Sequence, residues 1–291
     1  MNLNEFGLLV KSLRHNSVDE FGSRLTRESL SERIHLTPHQ LGRLERGDRK
    51  YLDSQTLQLL TNSLSLTNLE KREFLHAAIG LANEESCDQG EPEIQLNNLI
   101  GVLENLQVPA YITDAFADVV AVNTANLALH QITPEILCHV EKMPVGFNYM
   151  NYIYSPELNL KQILGESLWR EAADMAMLLF RRSTLRYRHT EYYNFIMKEL
   201  LKEKQFDIDW YSSHRLANQY DITYELMAYE HPCYGPLSYI ATETVIDTVK
   251  GDLFLIIYNP ADTETVSVFS RLLKENGNKA YRLACWPEKK M

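Results

Sequence analysis

The spacing of the apolar residues changes once along the chain, and that change limits what the chain can fold into. Up to about Ala82, leucine and isoleucine recur at three- or four-residue intervals: Leu9 and Leu13, Leu30 and Ile34, Leu41 and Leu44, Leu57, Leu60 and Leu64, then Leu75 and Ile79. Such spacing lines up one face of a helix, and its interruptions predict five short helices. From Pro109 onward, short runs rich in Tyr, Ile, Val and Thr suit strands instead. Between the two patterns, "NEESCDQGEPE" (Asn83 to Glu93) is acidic and carries Gly90 and Pro92, the composition of a connection. A helical domain over residues 1–82, a linker over 83–98 and a second domain over 99–291 are expected.

Charge follows the same division. The 291 residues carry a net charge of −10, yet residues 1–82 hold 11 Lys and Arg against 10 Asp and Glu, which leaves −11 for the remainder. A near-neutral helical domain is compatible with nucleic acid where the whole-chain charge is not. No apolar run approaches the roughly 18 to 20 residues of a membrane helix, and the N-terminus lacks a secretory pattern. A cytoplasmic protein with no membrane partner is the expectation. Cys87, Cys138, Cys233 and Cys285 are far apart, form no C-x-x-C pair, and read as scattered thiols.

Within the second domain, "PAYITDAFADVVAVN" (Pro109 to Asn123) holds two apolar runs around a polar break, as in a hairpin. Near the C-terminus, "DITYELMAYEH", "GPLSYIATETVIDTVKG" and "DLFLIIYNP" predict three strands of an antiparallel meander. Helical segments fill the middle, one from Pro156 to about Arg182 and one from about Thr190 to Lys204. The expected fold class is thus multi-domain: an all-α domain, then an α+β domain with helices segregated from one antiparallel sheet. Residues 262–291 suit a helix with a last strand, or a dimer contact.

The stretch "LTPHQLGRLERG" (Leu36 to Gly47) is a helix start in chemical detail. Thr37 is placed to cap the helix, Pro38 to occupy its first turn, and Gln40 to complete a capping box. A short helix from about Arg27 to Arg33 precedes it across a turn of three or four residues, so the two must cross steeply. With Leu41, Glu45 and Gly47 on matching positions, the pair resembles the Cro/repressor (XRE) type of helix-turn-helix. Arg27 stands where that family usually has Gln, Ser31 where it has Ala, and His35 where its turn has Gly. The resemblance implies that the second helix enters the major groove of operator DNA. Thr37, His39, Gln40 and Arg43 would then face the bases, because Arg grips guanine and Gln adenine, Arg27, Arg46, Arg49 and Lys50 would hold phosphates, and Pro38 belongs to the same DNA-binding set. Weak electrostatics in a near-neutral module favour two copies per operator, hence a homodimer.

"VPAYITDAFADVVAVNTAN" (Val108 to Asn126) is similar to the opening of the MmyB-like ligand-binding domain, a PAS-like fold; Pro109, Ala110, Asp118, Val119, Ala121 and Asn123 carry the match. That likeness implies a sensor for a small molecule. The middle of the chain is rich in Met, Tyr, Phe and Trp, which suits a long apolar ligand with a polar head, such as a lipid or fatty acid. Asn123, Met150, Tyr152, Trp169, Phe180, Arg181, Trp210 and His214 are the candidate ligand residues. Asn123 is equally suited to capping the next helix, and Arg181 to a helix end.

No phosphate loop, H-E-x-x-H or G-x-S-x-G motif occurs and the nine histidines are dispersed, so no enzyme activity, catalytic residue, metal or cofactor is expected. Two alternatives stand beside the sensor. One is an enzyme acting on a small apolar metabolite with the helical domain as localiser. The other is a constitutive DNA-binding or docking protein with a filled core.

Overall fold

The computed structural model describes residues 1–18, 23–48, 52–79, 91–158, 160–213, 226–248 and 250–289. Arg49, Lys50, Cys87, His214 and residues 83–90 of the expected linker lie outside them. The chain divides into two compact units: Met1–Cys87 with Arg181–Met197 and Trp210–Tyr220, and Asp88–Phe180 with Lys198–Asp209 and Asp221–Met291.

The first unit is helical, with α1 (Leu3–Asn16), α2 (Arg27–Arg33), α3 (Pro38–Glu45), α4 (Ser54–Ser63) and α5 (Asn68–Ile79). Their starts are written in the sequence. Asn2, Thr26, Thr37 and Asp53 each accept a backbone N–H in the first turn of the helix they open, satisfying donors that have no partner inside it. Phe6, Leu9, Leu30, Ile34, Leu41, Leu44, Leu60 and Phe74 form one buried cluster, and Leu185, from far along the chain, belongs to it.

Charge is buried in this unit as well. Glu70, on α5, is 0% exposed. Its carboxylate accepts from Arg181 Nε at 3.1 Å, from an Arg188 guanidinium nitrogen, and from the backbone N–H of Thr67 at 2.7 Å. Burial pushes the Glu70 pKa up, but the two guanidinium groups outweigh it and bring it down to about 2. Arg181 and Arg188 also lie over the Trp210 ring, 4.6 and 5.3 Å from its centre.

The second unit is built on a six-stranded antiparallel sheet of order β3-β4-β5-β1-β2-β6. The expected hairpin is β1 (Ala110–Asp114) with β2 (Val119–Asn123), and the expected meander is β3 (Leu226–His231), β4 (Gly235–Ile246) and β5 (Leu253–Pro260). Alternation along β5 sorts the two faces. Leu253 and Leu255 join Ile112, Trp286 and residues of α6 (Pro92–Asn105) on one side. Tyr258 joins Tyr111, Leu127, Tyr239 and residues of α14 (Thr263–Asn276) on the other.

Two helical expectations are corrected. The segment from Pro156 to Arg182 is a 3₁₀ turn (Pro156–Leu158), then α10 (Leu160–Leu164), then α11 (Glu166–Thr184). Gly165, at φ +76°, breaks it, because that backbone conformation cannot continue a right-handed helix. The segment from Thr190 to Lys204 is α12 (Glu191–Leu200), after which the chain turns and starts α13 (Lys204–Ser212). Phe206 on α13 packs edge-on against Tyr154 and Phe180 and is fully buried, which fixes the new helix in place.

Residues 262–291 form a helix and a last strand: α14, then β6 (Ala280–Arg282), which pairs with β2 through Ala121 and Arg282. Beyond β6, Lys289 pairs with Asp114 and, at 2.7 Å, with Asp118 at the β1–β2 turn.

Candidate functional site

In the helical unit, the Thr37 hydroxyl accepts from the Gln40 backbone N–H at 3.2 Å, and Gln40 Oε1 accepts from the Thr37 backbone N–H at 2.8 Å. This is the expected capping box, and it engages the side chains of two base-reading candidates. Pro38, His39, Gln40 and Arg43 are all exposed, whereas Leu41 and Leu44 face the core. The turn between α2 and α3 passes through His35, held at φ +56° where the resemblance has glycine. Arg43 reaches the carbonyl of Asp48 at 3.3 Å and Arg46 its carboxylate at 3.0 Å.

Arg27, a phosphate candidate, bonds to a carboxylate of its own unit. Its Nε and one terminal nitrogen donate to Glu45 Oε2 at 3.0 and 2.6 Å, while Arg14 donates to Glu45 Oε1 at 2.7 Å. Glu45 is buried, which pushes its pKa up, and the bonds from Arg14 and Arg27 more than reverse that, leaving the carboxyl below its ordinary value. The terminal Glu-x-Gly is thus structural. Glu45 ties α1, α2 and α3 together, and a side chain on Gly47, at φ +75°, would run into the backbone of Asn4. Arg49 and Lys50 lie outside the described residues.

In the second unit, α7 (Thr124–Leu129), α8 (Pro134–Val140) and α9 (Tyr149–Tyr154) cover one face of the sheet around a cavity of about 70 Å³. Tyr111, Val119, Val122 and Tyr258 line it from the strands; Asn126, Leu127 and His130, then Ile136, Leu137 and Val140, then Tyr149 and Tyr152 line it from the helices. A single water needs roughly 10 to 15 Å³ measured this way, so the space suits a small apolar group.

The aromatic lining is ordered. Tyr111 stacks on Tyr149 at 5.6 Å between ring centres, and His130 meets Tyr152 edge-on at 5.5 Å. His130 Nε2 lies 3.3 Å from the Tyr258 hydroxyl. Burial, with His231 nearby, lowers the His130 pKa to about 4, so the imidazole is neutral at neutral pH. Burial likewise holds the phenols of Tyr111, Tyr152 and Tyr258 well above their ordinary range. The Tyr152 hydroxyl is enclosed without a hydrogen-bond partner.

Of the ligand candidates read from the sequence, the structure brings Tyr152 to this cavity. Asn123 takes its other role: Oδ1 accepts from the backbone of Asn126 and Ala110 at 3.0 and 3.1 Å, and Nδ2 donates to the Val108 carbonyl at 2.8 Å. Trp169 is buried and donates to the Ile153 carbonyl at 2.9 Å; Met150 and Phe180 are buried core. Arg181 and Trp210 sit with Glu70 in the helical unit. His214 lies outside the described residues. Tyr111, Asn126, His130 and Tyr258 also line the cavity and are not among those candidates. The alternation of the hairpin and of the last meander strand could have put Tyr111 and Tyr258 on one face.

No helix among the described residues is long and apolar enough to cross a membrane. A family model described as the MmyB-like transcription regulator ligand binding domain matches residues 97–272, a span that holds nearly the whole cavity lining. No curated protein matches the chain.

Proposed function

We propose that this chain, which belongs to the MmyB-like transcription regulator ligand binding domain family, binds a small apolar molecule in the α7–α9 cavity and operator DNA through α2 and α3. The observation that carries the reading is the aromatic cavity inside the matched domain. Its polar lining consists of phenols, carboxamides and one neutral imidazole, a set suited to holding a ligand. The chain is read as a regulator and not as an enzyme.

The DNA half rests on the short, capped α3, which buries Leu41 and Leu44 and exposes His39, Gln40 and Arg43 as a recognition helix would. Thr37 and Gln40 keep their capping bonds or exchange them for base contacts. A homodimer would supply two such helices to one operator. Ligand regulates DNA binding only if its affinity differs between two packings of the sensory domain.

The test is fluorescence anisotropy of the intact protein on its own upstream region at two salt concentrations, with unrelated duplex as competitor. Specific binding weakened by salt is expected. Absence of specific binding there, together with an empty operator screen, would overturn the DNA half.

A further inference from the structure

We infer that the cavity takes a ligand whose apolar body ends in an uncharged hydrogen-bond acceptor, such as the carbonyl of a ketone, ester or amide, and discriminates against a carboxylate. The inference rests on reading the cavity as the sensory site.

Three observations carry it. The described residues lining the cavity include no Lys, Arg, Asp or Glu. One hydrogen-bond donor in the lining has no acceptor: the Tyr152 hydroxyl is buried without a partner. Finally, Arg181, the side chain best suited by sequence to anchor a carboxylate, already donates to Glu70 and to Ser213 Oγ.

The physical consequence follows from desolvation. An ionised carboxylate entering this lining would leave water without meeting a cation, which costs far more than burying a neutral group. A carbonyl has no charge to strand, and a lone pair on its oxygen can accept from the Tyr152 hydroxyl. Leaving such a donor unsatisfied is itself unfavourable, so a ligand that reaches it gains over a pure hydrocarbon.

The experiment is calorimetric titration of the full chain at pH 7.5 with two small probes of equal length, butan-2-one and butanoate. The ketone is expected to bind at least about ten-fold more tightly. Tyr152→Phe should narrow that ratio several-fold. A loss of packing would weaken both probes alike and leave the ratio unchanged, and that result would overturn the role of Tyr152. Equal or tighter binding of butanoate to the unaltered protein would overturn the neutral-head assignment while leaving the sensory cavity standing. Failure of both probes to bind would overturn the assignment and the sensory reading together.

Discussion

The two units bury polar groups in opposite ways. The helical unit buries charges and pairs them: Glu70 meets Arg181, Arg188 and the Thr67 backbone, and Glu45 meets Arg14 and Arg27, with the Arg188 Nε left over. The cavity of the other unit buries neutral groups and leaves one open, the Tyr152 hydroxyl. A paired buried charge network fixes one arrangement of the chain, since removing either partner strands the other. An unsatisfied neutral donor beside empty space does the reverse, because a molecule arriving from solvent can complete it. The contrast separates what holds this protein together from what it offers to a ligand.

The largest expected effect breaks the paired side. Glu70→Ala leaves two buried guanidinium groups without their carboxylate and should lower the stability of the helical unit by about 3 to 5 kcal/mol, read as a shifted urea midpoint. A change below about 1 kcal/mol would show that the network is not structural.

Acid probes the neutral side. His130 has an ordinary pKa of 6.5 and a folded value of about 4, so the unfolded chain binds its proton first. Its contribution is fully present above pH 6.5 and is lost as pH falls through about 4, a change of roughly 3 kcal/mol. His130→Phe should flatten that part of the pH–stability curve. A curve unchanged by the substitution would put the titrating group elsewhere.

On the exposed face of α3, Arg43→Ala should cost about 1 to 3 kcal/mol of preference for operator over unrelated DNA, whereas Lys50→Ala should weaken both alike. Equal losses in competition assays would remove Arg43 from base reading. The smallest effect is a gain. His35→Gly relieves a left-handed residue between α2 and α3, and should raise stability by roughly 0.5 to 1 kcal/mol in thermal unfolding.

How much was legible follows from the distance between cooperating residues. The α2–α3 pair was readable because its determinants are neighbours: Thr37 and Gln40 are three apart, and Leu41 and Leu44 share a face. The hairpin and meander were readable for the same reason. The cavity was not, because it gathers residues from Tyr111 to Leu283, and composition alone could not say which tyrosines face it. Arg181 shows the limit most clearly. Its partner Glu70 lies 111 residues earlier, in what the spacing marks as another domain. The two helix breaks differ in kind: Gly165 was available as a signal, but the turn before α13 depends on where Phe206 finds a pocket.

The last strand has a consequence for the order in which the chain is made. β6 and Lys289 are translated after every other strand of the sheet, yet they cover the edge of β2 and neutralise the β1–β2 turn. Until they emerge from the ribosome, β2 presents a bare row of backbone donors and acceptors beside a sheet already able to assemble, the situation in which nascent chains pair with one another. A slow stretch of synthesis between β5 and β6 would prolong that exposure without altering a single residue of the finished protein.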